Sequence, residues 1–311
     1  MDLVSIVIPT FKGTSTICRA VDSALNQDYK NIEIIVVDDN GEGSPEQLET
    51  ERLMSKYKYN SKVKYIKHRN NMNGSAARNT GARISKGEYI ALLDDDDVFL
   101  PFKIRMQVEA LLEKSNDYAA CYTSYESVFP DNRRRIMIAD KEGDLCFDLL
   151  CMKVNVLSSV LLVRKSAWME IGGFDESFKR DQDQEFCVRL FHKYKVAAVP
   201  KVCMRRYVMN RNVAKDVEKG IEYRKYYLEK MKNIIGSFSE NQQKKIYAAQ
   251  YTEMAKRYLK HKKILKCLQY IILSGTPFTV VFNLMKDYIS YQHNVIENLL
   301  WSFESQKKTA N

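Results

Sequence analysis

The sequence predicts an α/β fold: a layered sheet flanked by helices, followed by a helical extension. Three observations predict it. Apolar runs of strand length alternate with stretches of helical periodicity as far as Lys114. Three of those runs end in polar or acidic residues, at Thr10, at Asp38-Asp39 and at Asp94-Asp95-Asp96-Asp97. The last hundred residues then turn basic and helical in pattern.

Leu3 to Ile8 reads as the first strand. Thr14 to Gln27 reads as a helix, with Ile17, Ala20, Val21, Ala24 and Leu25 on one face. Ile32 to Val37 is a second strand and Val63 to Lys67 a short third. Ser75 to Lys86 is a helix stopped by Gly87. Glu88 to Leu93 is the strand that feeds the four aspartates. Leu100 to Lys114 is a helix with Ile104, Val108, Leu111 and Leu112 inward. Alternation of this kind argues a mostly parallel sheet, and ligands collect at the carboxyl ends of such strands. Thr10, Asp38-Asp39 and Asp94 to Asp97 should therefore converge.

From about 118 to 207 the chain mixes short strands and helices. Leu157 to Val163 is a strand, Arg164 to Ile171 a helical turn, and Gly172 to Glu176 a loop. Cys187, Leu190, Phe191 and Tyr194 mark one face of a helix. The change of character places a domain boundary after residue 212, giving a layered domain over 1–212 and a helical extension over 213–311. From Lys215 to Asn311 there are 17 Lys and Arg against 9 Asp and Glu, a net of +8.

The chain has 311 residues, 45% of them hydrophobic, and a net charge of +10. That charge favours phosphate-bearing or membrane-surface partners. No nucleic-acid-binding signature accompanies it, so no nucleic-acid partner is expected. The seven cysteines are scattered, odd in number and without a CxxC pair, and read as reduced thiols filling the core. The N-terminus enters a strand at once and no apolar run is long enough to span a bilayer, so a cytoplasmic protein is expected.

Four carboxylates at one strand end repel one another and call for a positive partner, most simply a hard divalent cation such as Mn²⁺ or Mg²⁺. The bland alternatives are a solvated acidic turn or an N-cap, which would use one Asp rather than four. A calcium loop does not fit. With Asp94 as its first position, Phe99 falls where a glycine belongs and Arg105 where a glutamate belongs.

Six segments occur in order: Ser5 to Thr10, Val36 to Asp39, Ala76 to Asn79, Leu93 to Asp97, Gly172 to Glu176, and Gln182 to Phe186. Together, over about residues 3 to 207, they resemble the inverting family 2 glycosyltransferases, which have a GT-A fold with a Rossmann-like layered mixed sheet. The resemblance implies a nucleotide diphosphate sugar donor, UDP-linked, and a glycan or lipid-linked acceptor in bacterial surface polysaccharide synthesis. It implies that Pro9, Thr10 and Phe11 wall the nucleotide pocket and that Asp39 accepts a hydrogen bond from the base. The alternative for Asp38 and Asp39 is an Asx-type turn before Gly41. Arg78 would meet phosphate or order the metal loop, its alternative being a surface charge. The Asp-x-Asp of this family is Asp94-Asp95-Asp96. Asp96 is the implied metal ligand, Asp94 holds the ribose or the metal, and Asp95 occupies the variable position within the donor site.

In the same resemblance Asp183 is the general base, in the register Gln182-Asp183-Gln184-Glu185, while Asp181 stands two residues away in a repeating pattern. Helix capping by these acids is the structural alternative and is compatible with catalysis. Trp168 would either stack on a sugar or be buried. Family members carry an Arg and a His over the diphosphate. Arg205 to Asn210 occupies that place without a His, and its arginines could contact phosphate instead. Two other readings compete. A sugar-phosphate nucleotidylyltransferase would need a Gly-rich, Arg-bearing loop after the first strand, which Phe11 to Thr14 does not supply. A catalytically silent partner protein would have lost the acids.

The six cations Lys256, Arg257, Lys260, Lys262, Lys263 and Lys266 precede apolar stretches at Leu268 to Leu273 and Phe278 to Leu284. Such a segment either lies peripherally on an anionic membrane or packs as a helical cap or homodimer surface.

Overall fold

A computed structural model describes residues 2–208 and 216–275. They form two compact units. One comprises 2–208 with 226–234, and the other 216–225 with 235–275.

In chain order the first unit contains β1 (Val4–Thr10), α1 (Ile17–Leu25), β2 (Ile32–Asp38), α2 (Pro45–Met54), β3 (Val63–Lys67), α3 (Gly74–Ile84), β4 (Tyr89–Leu92) and β5 (Val98–Phe99). It continues with α4 (Lys103–Leu112), β6 (Tyr118–Val128), β7 (Arg134–Met137), α5 (Cys146–Leu150), β8 (Leu161–Arg164), α6 (Lys165–Glu170), α7 (Gln182–Lys193) and β9 (Lys195–Tyr207). The strands form one sheet in the order β3-β2-β1-β4-β8-β6-β9-β5, with β7 on β6. β3, β2, β1 and β4 run parallel, β8 is antiparallel to both β4 and β6, and β9 is parallel to β6. The sheet is thus mixed, and the parallel half carries the predicted ligand-facing strand ends.

Every residue of β1 is buried, as expected for a strand covered on both faces. Its register sets Thr10 opposite Asp38, and Val7 opposite Leu92, so three strand ends open at one level. α1 buries Ile17, Ala20, Val21 and Ala24, the predicted face, but begins three residues later than expected, with Thr16 at its N-cap. α3 begins at Gly74 because the Asn73 side chain accepts from Ser75 N and Ala76 N, capping two orphan donors.

Several expectations are corrected. Leu112 does not face inward but is 63% exposed, one position past the Ile104–Val108–Leu111 stripe. The segment at Leu157 is a 3₁₀ turn over Ser158–Val160 before β8. The middle of the chain holds the two longest strands, β6 and β9, not short ones. α2 was unread, although Ser44 caps it by accepting from Gln47 N and Pro45 stands at its first position. Six of the seven cysteines are buried, consistent with core filling.

Helix α8 (Val217–Lys230) contributes residues 217–225 to the second unit and the rest to the first. α9 (Lys232–Gly236) follows. In the second unit α10 (Glu240–Lys260) starts at a capping box between Ser239 and Gln242. α11 (Ile264–Ser274) ends on Gly275 at φ +62°. α11 packs on α10 through Tyr270, whose ring lies 6.1 Å from Tyr251 and 5.5 Å from Tyr258. The apolar stretch Phe278 to Leu284 and the loop residues Met209 and Asn210 lie outside the described residues.

Candidate active site

The ends of β1, β2 and β4 and the first turns of α3 enclose a cleft of about 420 Å³. Pro9, Thr10, Phe11, Asp39, Arg78, Asp94, Asp95 and Asp96 all line it. Lys12, which the sequence reading did not single out, lines it too.

The paired aspartates after β2 divide their roles. Asp38 is fully buried and makes the Asx turn, its Oδ1 accepting from Asn40 N at 2.9 Å. Asp39 reaches the cleft, but both of its carboxylate oxygens are engaged. Oδ1 meets His68 Nδ1 and Met72 N, each at 2.8 Å. Oδ2 accepts from Asn71 Nδ2 at 2.9 Å and Asn73 N at 2.8 Å. In this state Asp39 organises the 71–73 loop, and an incoming base N–H would compete with one of these donors.

The four aspartates after β4 point in different ways. Asp95 is buried and accepts from Thr10 Oγ1 at 2.6 Å, tying β4 to β1. Gly13 permits this approach, since a Cβ there would sit 1.8 Å from Asp95 Oδ2. Asp94 Oδ1 accepts from Arg78 Nη2 at 2.6 Å, and Ser158 Oγ lies 3.3 Å away. Asp96 is partly exposed on the cleft wall, its carbonyl accepting from Arg19 Nη2 at 2.8 Å. Asp97 is buried beneath, with Oδ1 lacking a hydrogen-bond partner among the described residues. Burial, with the charges of Asp94 and Asp96, pushes its carboxyl well above the ordinary range.

Arg78 is buried on α3, which rejects the surface-charge reading. Its Nη1 reaches toward Gln182 Oε1 at 3.5 Å, and its guanidinium lies 5.4 Å from the Phe174 ring. Burial opposes its charge, but Asp94 and Asp183 more than offset that, so it stays protonated. Asp183 stands in the first turn of α7, half-buried, and accepts from Ser158 N at 3.2 Å. Burial raises its carboxyl, Arg78 pulls it back, and Asp94 pushes it up again, leaving a net rise. The neighbouring acids differ. Asp181 starts α7 in the left-handed region at φ +57° without a side-chain cap bond. Glu185 is buried and clasped by Arg189, with Arg189 Nη2 at 2.8 Å from Oε2.

The Gly172 to Glu176 loop is held from both sides. Arg189 donates to Ile171 O at 2.6 Å and Gly173 O at 2.7 Å. Asn79 donates to Phe174 O and Glu176 Oε1 and accepts from Phe174 N, all at 2.9 Å. Gly173 sits at φ +70°, and a Cβ there would lie 2.5 Å from Asn79 Oδ1. Asn73 Nδ2 donates to Glu176 O at 2.9 Å, so the loop that Asp39 organises also braces this one. Trp168 is not available to a sugar. It is buried with its ring 5.4 Å from Phe174 and 4.7 Å from Phe186. Arg205 is turned to Glu126 at 3.0 Å rather than toward the cleft, whereas Arg206 acts on Asp97.

Sequence reasoning missed Ser158 and Asn73, and quoted Gln182 without giving it a role. Asn79 lay inside a quoted segment without a role. Ser158 gave no signal, because a serine 64 residues from Asp94 is joined to it only by the fold.

The sequence matches the family model described as Glycosyl transferase family 2 over residues 5–189. It is 36% identical over 199 residues to an uncharacterized glycosyltransferase of Rickettsia prowazekii, covering 61% of this chain and 58% of that protein. It is 41% identical over 108 residues, 35% of this chain and 41% of the other, to the Escherichia coli UDP-Glc:alpha-D-GlcNAc-diphosphoundecaprenol beta-1,3-glucosyltransferase WfaP. In fold it is similar to the crystal structure of S. aureus TarS 1-349 in complex with UDP-GlcNAc. The TM-score is 0.63 at 16% identity, over 83% of this chain and 73% of that one.

Proposed function

The chain belongs to glycosyl transferase family 2, and on that premise we propose that it is an inverting glycosyltransferase. It moves a sugar from a UDP-linked donor to a lipid-linked glycan acceptor in the assembly of a bacterial surface polysaccharide. The observation that carries this reading is the convergence of three strand ends on one cleft, where Arg78 joins Asp94 to the vicinity of Asp183. Its support for the donor and acceptor classes is the likeness to WfaP and to the UDP-GlcNAc-bound TarS fold.

In the proposed reaction Asp183 removes the proton from the acceptor hydroxyl as that oxygen attacks the anomeric carbon from the face opposite the diphosphate. The bond from the anomeric carbon to the diphosphate oxygen breaks, and the nucleoside diphosphate departs with the electron pair. A raised carboxyl pKa suits the step, since a stronger base accepts the proton more readily. Pro9, Thr10 and Phe11 wall the nucleotide side, Asp39 sets the loop facing it, and the guanidinium of Arg78 faces phosphate. The loop from Gly172 to Glu176 supports the acceptor.

Asp94 and Asp96 both line the cleft and are the carboxylates that would hold Mg²⁺ or Mn²⁺. No three His, Cys, Asp or Glu side chains gather around an ion site among the described residues. Two hard carboxylates completed by substrate phosphates is the usual arrangement for Mg²⁺. When bound, the ion would offset the negative charge that builds on the leaving diphosphate. Among the described residues no helix is long and apolar enough to cross a membrane.

The test is a panel of nucleotide sugars scored by thermal shift and by metal-dependent hydrolysis. A donor at 100 times its Kd should add about 2.7 kcal/mol of stability. Asp96→Ala should abolish transfer and remove the metal dependence of nucleotide binding. Full activity of that variant, or activity in excess chelator, rejects the metal assignment. A panel with no hit rejects the donor class.

A further inference from the structure

We infer that the second unit carries an anionic-lipid docking surface formed by the outward face of α11 and the cations around its start. This rests on the second unit alone and stands or falls separately from the donor chemistry above.

Helix α11 is apolar on both sides. Cys267, Tyr270 and Ile271 are buried against the unit. On the opposite side Leu265 is 85% exposed and Ile272 76%, with Leu268 between them. These three recur at helical spacing, so they form one face. A helix with apolar residues on opposite sides needs an apolar partner on each, and the described residues cover only one side of this one.

The charge around it is one-sided. Lys256, Arg257 and Lys260 end α10, where cations complement the helix dipole and need no further explanation. Lys262, Lys263 and Lys266 instead crowd the start of α11, where the dipole disfavours cations. Lys263 is answered by Glu218 at 2.9 Å, whose charge also reaches Lys266, and Arg257 pairs with Glu253. Lys262 and Lys266 are exposed all the same, and no acid occurs in sequence between Lys256 and Lys266. An apolar face bordered by cations matches a bilayer that offers acyl chains beneath anionic headgroups. A second copy of the chain would set like charges against one another at the same border.

The experiment floats the full chain with vesicles of phosphatidylcholine alone, or of phosphatidylcholine with about one-third phosphatidylglycerol. Binding is expected only to the anionic vesicles, and should weaken at least about tenfold as salt rises from ~0.1 M to ~1 M and the Debye length falls from ~10 Å to ~3 Å. Lys262→Gln with Lys266→Gln should cost about 10- to 30-fold, each cation near such a surface being worth about fivefold. Leu265→Ser with Ile272→Ser should abolish flotation while leaving the unfolding temperature unchanged, since both side chains are exposed. No flotation, or equal flotation with neutral vesicles, overturns the inference. A wild-type dimer that the Leu265→Ser/Ile272→Ser variant converts to monomer also overturns it, assigning the face to a second copy.

Discussion

Arg78 Nη2 and Asp94 Oδ1 lie 2.6 Å apart, joining the second turn of α3 to the residue that follows β4 and Leu93. The same guanidinium stabilises the charged form of Asp183, so one buried cation answers two acids from different elements. Without it, Asp94 and Asp183 would repel each other unopposed.

Arg78→Gln should therefore cost stability and shift the base. Breaking a fully buried pair costs about 3–5 kcal/mol, and the partial exposure of Asp94 reduces that to roughly 1–3 kcal/mol. Urea unfolding measures it. The acid limb of kcat/KM should move to higher pH, because Arg78 is what pulls the Asp183 carboxyl down. An unmoved limb separates Arg78 from Asp183.

Asp183→Asn should lower kcat by about 10²–10⁴-fold with donor affinity retained. Its acid limb, which lies above the ordinary carboxyl value of 3.8, should vanish. Equal loss of donor affinity would make Asp183 a structural residue. A larger loss in Asp181→Asn would move the base by two positions.

Asp39→Ala should weaken free UDP as well as the donor, by calorimetry. It also removes the carboxylate that accepts from His68, Asn71, Met72 and Asn73, of which Asn71 keeps its bond to the residue 39 carbonyl. Of these only His68 is buried, and a buried donor left unpaired costs about 1–3 kcal/mol, so the unfolding temperature should fall too. Reduced stability with unchanged UDP affinity would confine Asp39 to holding the loop.

Lys103 on α4 gives a pH prediction away from the cleft. It is fully buried, with Nζ 2.6 Å from Gln107 Oε1, and burial pushes its amine from 10.5 down to about 7. Between those values the unfolded chain holds a proton that the folded chain does not, so this residue makes stability rise with pH across that window and fall as pH drops toward 7. At about 1.4 kcal/mol per pH unit the effect is at most roughly 5 kcal/mol. Lys103→Met should flatten the profile between pH 7 and 10.5. A wild-type profile already flat there would show that the amine stays charged.

Sequence by itself determined the alternation of strands and helices, the three strand ends and the acids upon them, because apolar period and chain order are local properties. It also determined the basic tail. The tertiary structure decided the rest. Asp38 and Asp39 are adjacent and chemically identical, yet one turns into the Asx bend and the other into the cleft, since successive residues at a strand end point to opposite faces. Asp181, Asp183 and Glu185 lie within five residues, and the family register points to Asp183 among them. Only packing hands Glu185 to Arg189 and sets Asp183 beside Ser158. Leu112 departs from expectation, and Trp168 takes the buried of its two alternatives, for the same reason. A side chain's burial depends on which neighbours arrive from distant segments, and that information is long-range.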